Sequence, residues 1–219
     1  PLDAYSRTVM EVVDRVGPAV AHIDAGQGRR AGTGSGFLFT PDGYLLTNSH
    51  VVRNAREVQV SFGDGLRQRA RVVGVDTHTD LAVLSTEGSG FPYVAMGSSS
   101  KLRPGQLVVA IGSPLGLERT VTEGIVSTKS RQMSGDLYLQ TSAQINPGNS
   151  GGPLFNLRGE VVGVTNMKIT FGEGLGFAIP VEQVKWFLEH RDAFAYDNEN
   201  PNNAFRYLEP PSRLRVDPR

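Results

Sequence analysis

Cysteine is missing from all 219 residues, which excludes disulfides, thiolate nucleophiles and cysteine-held zinc together. The same absence suits oxidising and reducing compartments alike. No apolar run approaches the length of a bilayer span, and the first residues lack the basic-then-apolar order of a signal peptide. An excess of one charge is also lacking: 22 Lys and Arg face 22 Asp and Glu, so nothing global draws the chain to nucleic acid or to an anionic membrane. What is present is 39% hydrophobic content, enough for a substantial core as one large domain or two small lobes. The 26 Gly and 13 Pro, set between short Val-rich runs, favour an all-β architecture with frequent turns.

Residues 3–16 place Val9, Val12, Val13 and Val16 at helical spacing behind a candidate cap at Asp3 or Ser6, which predicts a short amphipathic helix stopped by Gly17-Pro18. Residues 19–24 read as a first strand, and the glycine-rich, basic stretch 25–33 as a surface loop. Gly32-Thr33-Gly34-Ser35-Gly36 is a poor phosphate cradle, because no Lys follows and Phe37-Leu38-Phe39 reads as a strand where such a loop needs a helix. Pro41-Asp42-Gly43 turns 36–39 back into 44–47, and Gly63-Asp64-Gly65 joins 58–62 to 69–76. Residues 81–84 form an apolar strand with Asp80 at its mouth.

The second half repeats this grammar, with 106–111, 120–128, 136–141, 152–155, 160–166 and 174–179 reading as strands. Two such sets predict two packed barrels with a seam between them, linked near 97–104. Pro180 opens a closing helix with Val181, Val184, Trp186, Phe187 and Leu188 on its apolar face. The expected organisation is an N-terminal helical segment 1–18, a first barrel 19–100, a second barrel with its helix 101–191, and an irregular tail 192–219.

The chemistry gathers in Asn146-Pro147-Gly148-Asn149-Ser150-Gly151-Gly152-Pro153-Leu154, a polar, glycine-dense turn between two apolar runs. Gly148, Gly151 and Gly152 allow backbone conformations that a side chain forbids and let a ligand approach the main chain. If NH groups on either side of Ser150 converge, an oxygen that turns negative during acyl transfer has a pocket beside a nucleophilic hydroxyl. Alone, the pattern reads equally well as a structural hairpin. His50, just past the strand 44–47, and Asp80 add an imidazole to take the hydroxyl proton and a carboxylate to hold the ring's tautomer.

Thr47-Asn48-Ser49-His50-Val51-Val52, Thr79-Asp80-Leu81-Ala82-Val83-Leu84 and the serine turn resemble the three catalytic blocks of the HtrA (Deg) family of serine proteases. Gly34-Ser35-Gly36-Phe37, Ala110-Ile111-Gly112-Ser113-Pro114-Leu115-Gly116 and Gly176-Phe177-Ala178-Ile179-Pro180 fit further blocks in the right order, over residues 5–190. The resemblance implies an all-β, chymotrypsin-like double six-stranded β-barrel with short N- and C-terminal helices. It implies a serine endopeptidase that hydrolyses unfolded or misfolded proteins through an acyl-enzyme, in protein quality control. Ser150 is then the nucleophile, His50 the general base and acid, Asp80 the orienting carboxylate, and the NH groups of Gly148 and Ser150 the oxyanion hole. Gln144 and Ile145 fall at the specificity pocket, and Thr165, Asn166, Met167 and Lys168 form an edge against which an extended peptide pairs.

The resemblance further implies a homotrimer through the N-terminal segment with Tyr5 as a contact, and no metal or organic cofactor. It implies an extracytoplasmic location, periplasmic or secreted, with an organellar lumen or intermembrane space as the alternative. The chain departs from the family pattern at Ser142, where Asp is usual, at Gln144, where a small residue is usual, and at Ser49, where a second Asn is usual. No PDZ domain is expected in the residues after 180–191 of this chain, so PDZ-based peptide sensing is either absent or removed with a truncated C-terminus.

Plainer readings compete with each of these. His22, His78 and His190 read as surface or structural residues, and Asp80 alone could cap a turn. Asp76, His78 and Asp80 could in principle face one way along a strand as metal ligands, but no further ligands cluster with them. The rival function from another class is a catalytically resting or inactive chaperone or binding module with a collapsed oxyanion hole, its state set by loops such as 127–136 and 167–173.

Overall fold

The computed structural model describes residues 2–26, 32–53, 55, 57–113, 119–133, 135–146, 148–166 and 175–190. Helix α1, Ala4–Val16, begins where the Asp3 carboxylate accepts from the Ser6 amide at 2.9 Å and from its hydroxyl at 2.7 Å, which satisfies an otherwise orphaned donor of the first turn. Its buried Val12 and Val16 pack on the core. A 3-10 turn at Gly17–Ala19 leads into the first barrel.

That barrel comprises β1 Val20–Ala25, β2 Gly32–Leu38, β3 Tyr44–Thr47, β4 Val58–Phe62, β5 Arg67–Asp76 and β6 Leu81–Thr86, all antiparallel and closed in the order β1-β2-β3-β6-β5-β4. The second comprises β7 Leu107–Gly112, β8 Thr120–Met133, β9 Asp136–Thr141, β10 Pro153–Asn156, β11 Val161–Thr165 and β12 Gly176–Pro180. Read from β7, its order is β7-β8-β9-β12-β11-β10, the order of the first barrel repeated. Helix α2, Val181–Glu189, closes the described chain.

Apolar residues on both faces of β7 show how the barrels join. Val108 and Ala110 point into a small cluster with Val126, Leu139, Leu154 and Val162, whereas Val109 and Ile111 belong to a larger cluster. The larger cluster draws on β1 to β6 and also on Phe155, Phe177 and Ile179 of the second barrel. A strand buried on both faces reads as a continuous apolar run, as Leu107–Gly112 does.

Four expectations need correction. Ala25, Gly32 and Thr33 are strand, not loop: Ala25 pairs with Gly32 and Asp24 with Thr33, which extends the β1–β2 ladder despite poor strand formers. Residues 129–133, expected as loop, continue β8, which pairs with β9 through irregularities of register at Val126/Thr128 and Thr128/Arg131. Pro180 is extended, with φ −59° and ψ 142°, so it flanks α2 and does not occupy its first turn. Trp186 is 50% exposed and stacks on the His190 ring at 4.6 Å, leaving Val181, Val184 and Phe187 as the buried face of α2. The tail 192–219 lies outside the described residues.

The connection from β6 to β7 is strapped onto the second barrel. Gly97 donates to the Val161 carbonyl at 2.8 Å, and Val161 donates to Ala95 at 2.9 Å. The Glu182 carboxylate of α2 accepts from the Ser98 hydroxyl at 2.8 Å and from the amides of Ser99 and Ser100 at 3.1 and 3.0 Å. Burial pushes the Glu182 carboxyl up, but these donors outweigh it and hold it below the usual carboxylate range. A depressed carboxylate contributes stability above its unfolded pKa and loses it as pH falls through the folded one. Glu182→Ala is therefore expected to lower unfolding free energy by about 1–2 kcal/mol at neutral pH. In urea titrations that deficit should shrink below about pH 4.

Candidate active site

Both turns that hold His50 and Asp80 are shaped by short polar side chains. Beyond β3 the chain makes a helical turn, with Val51 donating to Asn48 and Val52 to Ser49, each at 3.2 Å. Between β5 and β6, Asp76 closes its own turn by accepting from the amides of His78 at 2.9 Å and Thr79 at 3.3 Å. Asp80 follows with φ 60°, the one side-chain-bearing residue in the left-handed region among the described residues. Its carbonyl accepts from the Ser49 amide at 3.1 Å and the Asn48 side-chain amide at 3.0 Å, which holds this sparsely populated conformation.

Asp80 is 3% exposed, and its carboxylate is fully engaged. Oδ1 accepts from the Ser49 hydroxyl at 2.7 Å and the His50 amide at 2.9 Å, and Oδ2 accepts from His50 Nδ1 at 2.7 Å and Asn166 Nδ2 at 3.2 Å. Burial raises this carboxyl, but the His50 ring and the Ser49 hydroxyl outweigh it, and the group stays below the usual carboxylate range. An ionised carboxylate only accepts, so Nδ1 carries a proton and Nε2 of the neutral ring is an acceptor. Nε2 stands 3.1 Å from Ser150 Oγ, whose hydroxyl also donates to Asn48 Oδ1 at 2.9 Å.

Ser150 sits in a turn held from both barrels. Asn149 donates to Asn146 at 3.0 Å and Gly152 to Asn149 at 2.8 Å. Gly148, with φ 103°, and Gly151, with φ 81°, occupy backbone conformations that disfavour any side chain. A Cβ on Gly151 would also run into the Ser35 carbonyl and the Thr47 hydroxyl, so the first barrel presses directly against this turn. From β11, the Thr165 hydroxyl donates to the carbonyls of Asn149 and Gly152, while the Ser35 amide of β2 donates to Ser150 O at 2.8 Å.

A serine hydroxyl, an imidazole and a buried carboxylate in hydrogen-bonded series, at the junction of two barrels of like strand order, is the arrangement of chymotrypsin-type proteases. The model of the trypsin-like peptidase domain matches residues 34–164. The "Probable periplasmic serine endoprotease DegP-like" of Ectopseudomonas mendocina (strain ymp) is 46% identical over 179 residues, covering 78% of this chain and 38% of that protein. A protein of the same name from Marinomonas sp. (strain MWYL1) is 51% identical over 160 residues, covering 70% of this chain and 34% of that one. The chain belongs to the trypsin-like serine peptidases of HtrA type. The solved structure "HtrA-type protease AlgW with tripeptide" superposes with a TM-score of 0.76 at 37% identity, covering 82% of this chain and 62% of that one. The chain thus spans little more than a third of the length of the two DegP-like relatives.

Against this HtrA-type frame, the other expected residues separate. Gln144 is exposed, and its carbonyl accepts from the Thr122 hydroxyl at 2.8 Å and from Asn149 Nδ2 at 3.4 Å. Ile145 is half-buried against the small cluster of the second barrel. The expected peptide edge 165–168 is corrected at its start: the Thr165 amide donates to Gly152 and its carbonyl accepts from Gly151, both at 2.9 Å, so neither faces an outside strand. The Asn166 amide is likewise used, donating to Phe177 O at 2.9 Å, and its side chain serves Asp80. Met167 and Lys168 lie outside the described residues, as does Pro147.

Asp76, His78 and Asp80 do not share a strand face. They form a turn in which His78 Nδ1 faces Asp136 at 3.4 Å and Asp80 faces His50. Asn48, Ser49 and Ser35 also serve the site, through contacts that their neighbours in sequence do not signal.

Asp80 combines left-handed backbone with four buried donors aimed at its carboxylate. Asn tolerates that backbone and keeps one acceptor, whereas Ala does neither. Asp80→Ala is expected to cost about 3 kcal/mol or more and Asp80→Asn clearly less. Urea unfolding of the two variants measures the difference.

Proposed function

We propose that this chain is the catalytic part of a serine endopeptidase that cleaves unfolded or extended polypeptide through an acyl-enzyme. The observation that carries the reading is the unbroken series from Ser150 Oγ through His50, at 3.1 Å, to Asp80, at 2.7 Å. Ser150 Oγ attacks the scissile carbonyl carbon while His50 Nε2 takes its proton. Asp80 keeps the ring in place and stabilises the imidazolium. The NH groups of Gly148 and Ser150 receive the oxyanion of the tetrahedral intermediate. As the C–N bond breaks, the His50 proton passes to the leaving amine. Water then repeats the sequence on the ester.

An extended substrate pairs with the chain beyond the Asn166 amide, at Met167 and Lys168, and its P1 side chain is met by Gln144 and Ile145. That AlgW is described with a tripeptide supports a peptide-sized ligand for this relative of it. We infer an extracytoplasmic, periplasmic setting and a role in protein quality control, supported by the periplasmic names of the DegP-like relatives. We also infer a homotrimer built through the N-terminal segment, supported by the exposure of Leu2, Tyr5 and Met10 along and beside α1.

Ser150→Ala is expected to abolish cleavage of a denatured protein and labelling by a serine-directed phosphonate while leaving the thermal transition in place. Cleavage at the wild-type rate in that variant would sink the proposal. Because the base must be neutral, kcat/KM for a peptide substrate should fall on acidification in proportion to the protonated fraction of His50. A rate that stays flat into strongly acid solution counts against His50 as the base.

A further inference from the structure

Ser35 lies in the middle of β2, in the first barrel, and is 0% exposed, yet its amide and hydroxyl reach towards the serine turn and the end of β7. Its amide donates to Ser150 O at 2.8 Å, and its hydroxyl donates to Gly148 O. The same hydroxyl oxygen accepts from the Ser113 amide at 2.8 Å, where β7 ends. Its carbonyl accepts from the Thr47 hydroxyl at 2.8 Å. The flanking glycines explain how a strand comes this close. A Cβ on Gly34 would stand 2.9 Å from Ser150 O, and one on Gly36 would stand 2.7 Å from Leu46 O.

We propose that Ser35 is a positioning residue for the oxyanion hole. Gly148 and Ser150 are the two residues whose NH groups would bind the oxyanion, and Ser35 holds the carbonyl oxygen of each, one by its hydroxyl and one by its amide. Gly148 has no side chain to restrict it, so its turn has more than one low-energy orientation. Anchoring its carbonyl fixes the peptide that follows Gly148, and with that plane fixed the preceding peptide, which carries the Gly148 NH, has fewer orientations open to it. Only a small hydroxyl side chain can donate to Gly148 and accept from Ser113 at once; alanine does neither, and a thiol does both weakly. The role lies in aiming main-chain donors, with no part in proton transfer and no contact with the substrate side chain.

This inference rests on the proposed peptidase reading, and the measurement separates the two. For Ser35→Ala, kcat on a peptide substrate should fall about 10–100-fold with KM within about twofold, since aim is lost in the transition state and not in the ground state. The affinity of a peptide aldehyde, whose adduct places an oxygen in the hole, should weaken by the same factor. Binding of an uncleaved peptide to the Ser150→Ala chain should not change when Ser35→Ala is added. Unaltered kcat and aldehyde affinity overturn the inference, and so does a loss of peptide binding that matches the loss of kcat. If the alanine variant fails to fold, Ser35→Cys decides by the same readings: a several-fold loss shared by kcat and aldehyde affinity supports the role, and no loss overturns it. A wild-type chain that does not cleave brings down the peptidase reading itself. A wild type that cleaves and is matched by Ser35→Ala brings down this inference alone.

Discussion

The buried carboxylate of Asp80 is the constraint on which the rest of the site depends. A carboxylate removed from water costs several kcal/mol unless donors replace the lost solvent. Here four donors do so: the Ser49 hydroxyl, the His50 amide, the His50 ring and the Asn166 side chain. Three of them follow β3 in the first barrel, and the fourth follows β11 in the second. The charge can therefore be accommodated only when the turn after β3 is folded and the second barrel is seated. Its depressed pKa shows that pairing outweighs burial in this balance. The ionised state in turn fixes the proton on His50 Nδ1 and leaves Nε2 to face Ser150.

Apolar burial and polar bonding divide the work at the seam. The larger core cluster contains residues of both barrels and of both helices, so non-directional burial supplies most of the adhesion. It does not set angles. That falls to the main-chain bonds that cross the seam, such as Ser35 to Ser150, and to close backbone approaches such as Gly151 against Ser35 and Thr47. The serine turn belongs to the second barrel by sequence but is shaped by β2 and the end of β3. A repeated strand order thus yields an asymmetric site: one barrel contributes the imidazole and carboxylate, and the other contributes the hydroxyl.

Much of this was legible in the sequence, for reasons that can be named. Short apolar runs bounded by Gly, Pro, Asn and Asp marked the strands, and closure into two barrels followed from their number and spacing. His50, Asp80 and Ser150 stood out because each lies in a local block whose turn chemistry is written in adjacent residues. What escaped was set by contacts between distant residues. Gly32 and Thr33 look like loop by propensity, and only pairing with β1 makes them strand. The extension of β8 to Met133 carries no clean alternation, since past Val126 its side chains are mostly exposed. Trp186 sits beside the apolar stripe of α2 but points outward to His190. Asn166 reads as part of a peptide edge, and nothing near it in sequence indicates that its side chain reaches Asp80 across 86 positions.

Asn48 shows how a satisfied polar network can also regulate which atom is available. Its side-chain nitrogen must face the Asp80 carbonyl, which needs a donor, so its oxygen is turned towards Ser150. Among the described residues the Ser150 hydroxyl, with its one hydrogen, meets the acceptors Asn48 Oδ1 at 2.9 Å and His50 Nε2 at 3.1 Å. With His50 neutral, the hydrogen is divided between them. With His50 charged, Nε2 becomes a donor to Ser150 Oγ and the hydroxyl hydrogen passes wholly to Asn48. The serine is hydrogen-bonded in both states and need not change rotamer between them, so protonating the ring removes the acceptor without disassembling the site. The same carbonyl of Asp80 that orients Asn48 is held in place by the residue's left-handed backbone. One strained residue therefore sets the proton on the histidine through its carboxylate and the direction of the serine hydroxyl through its main chain.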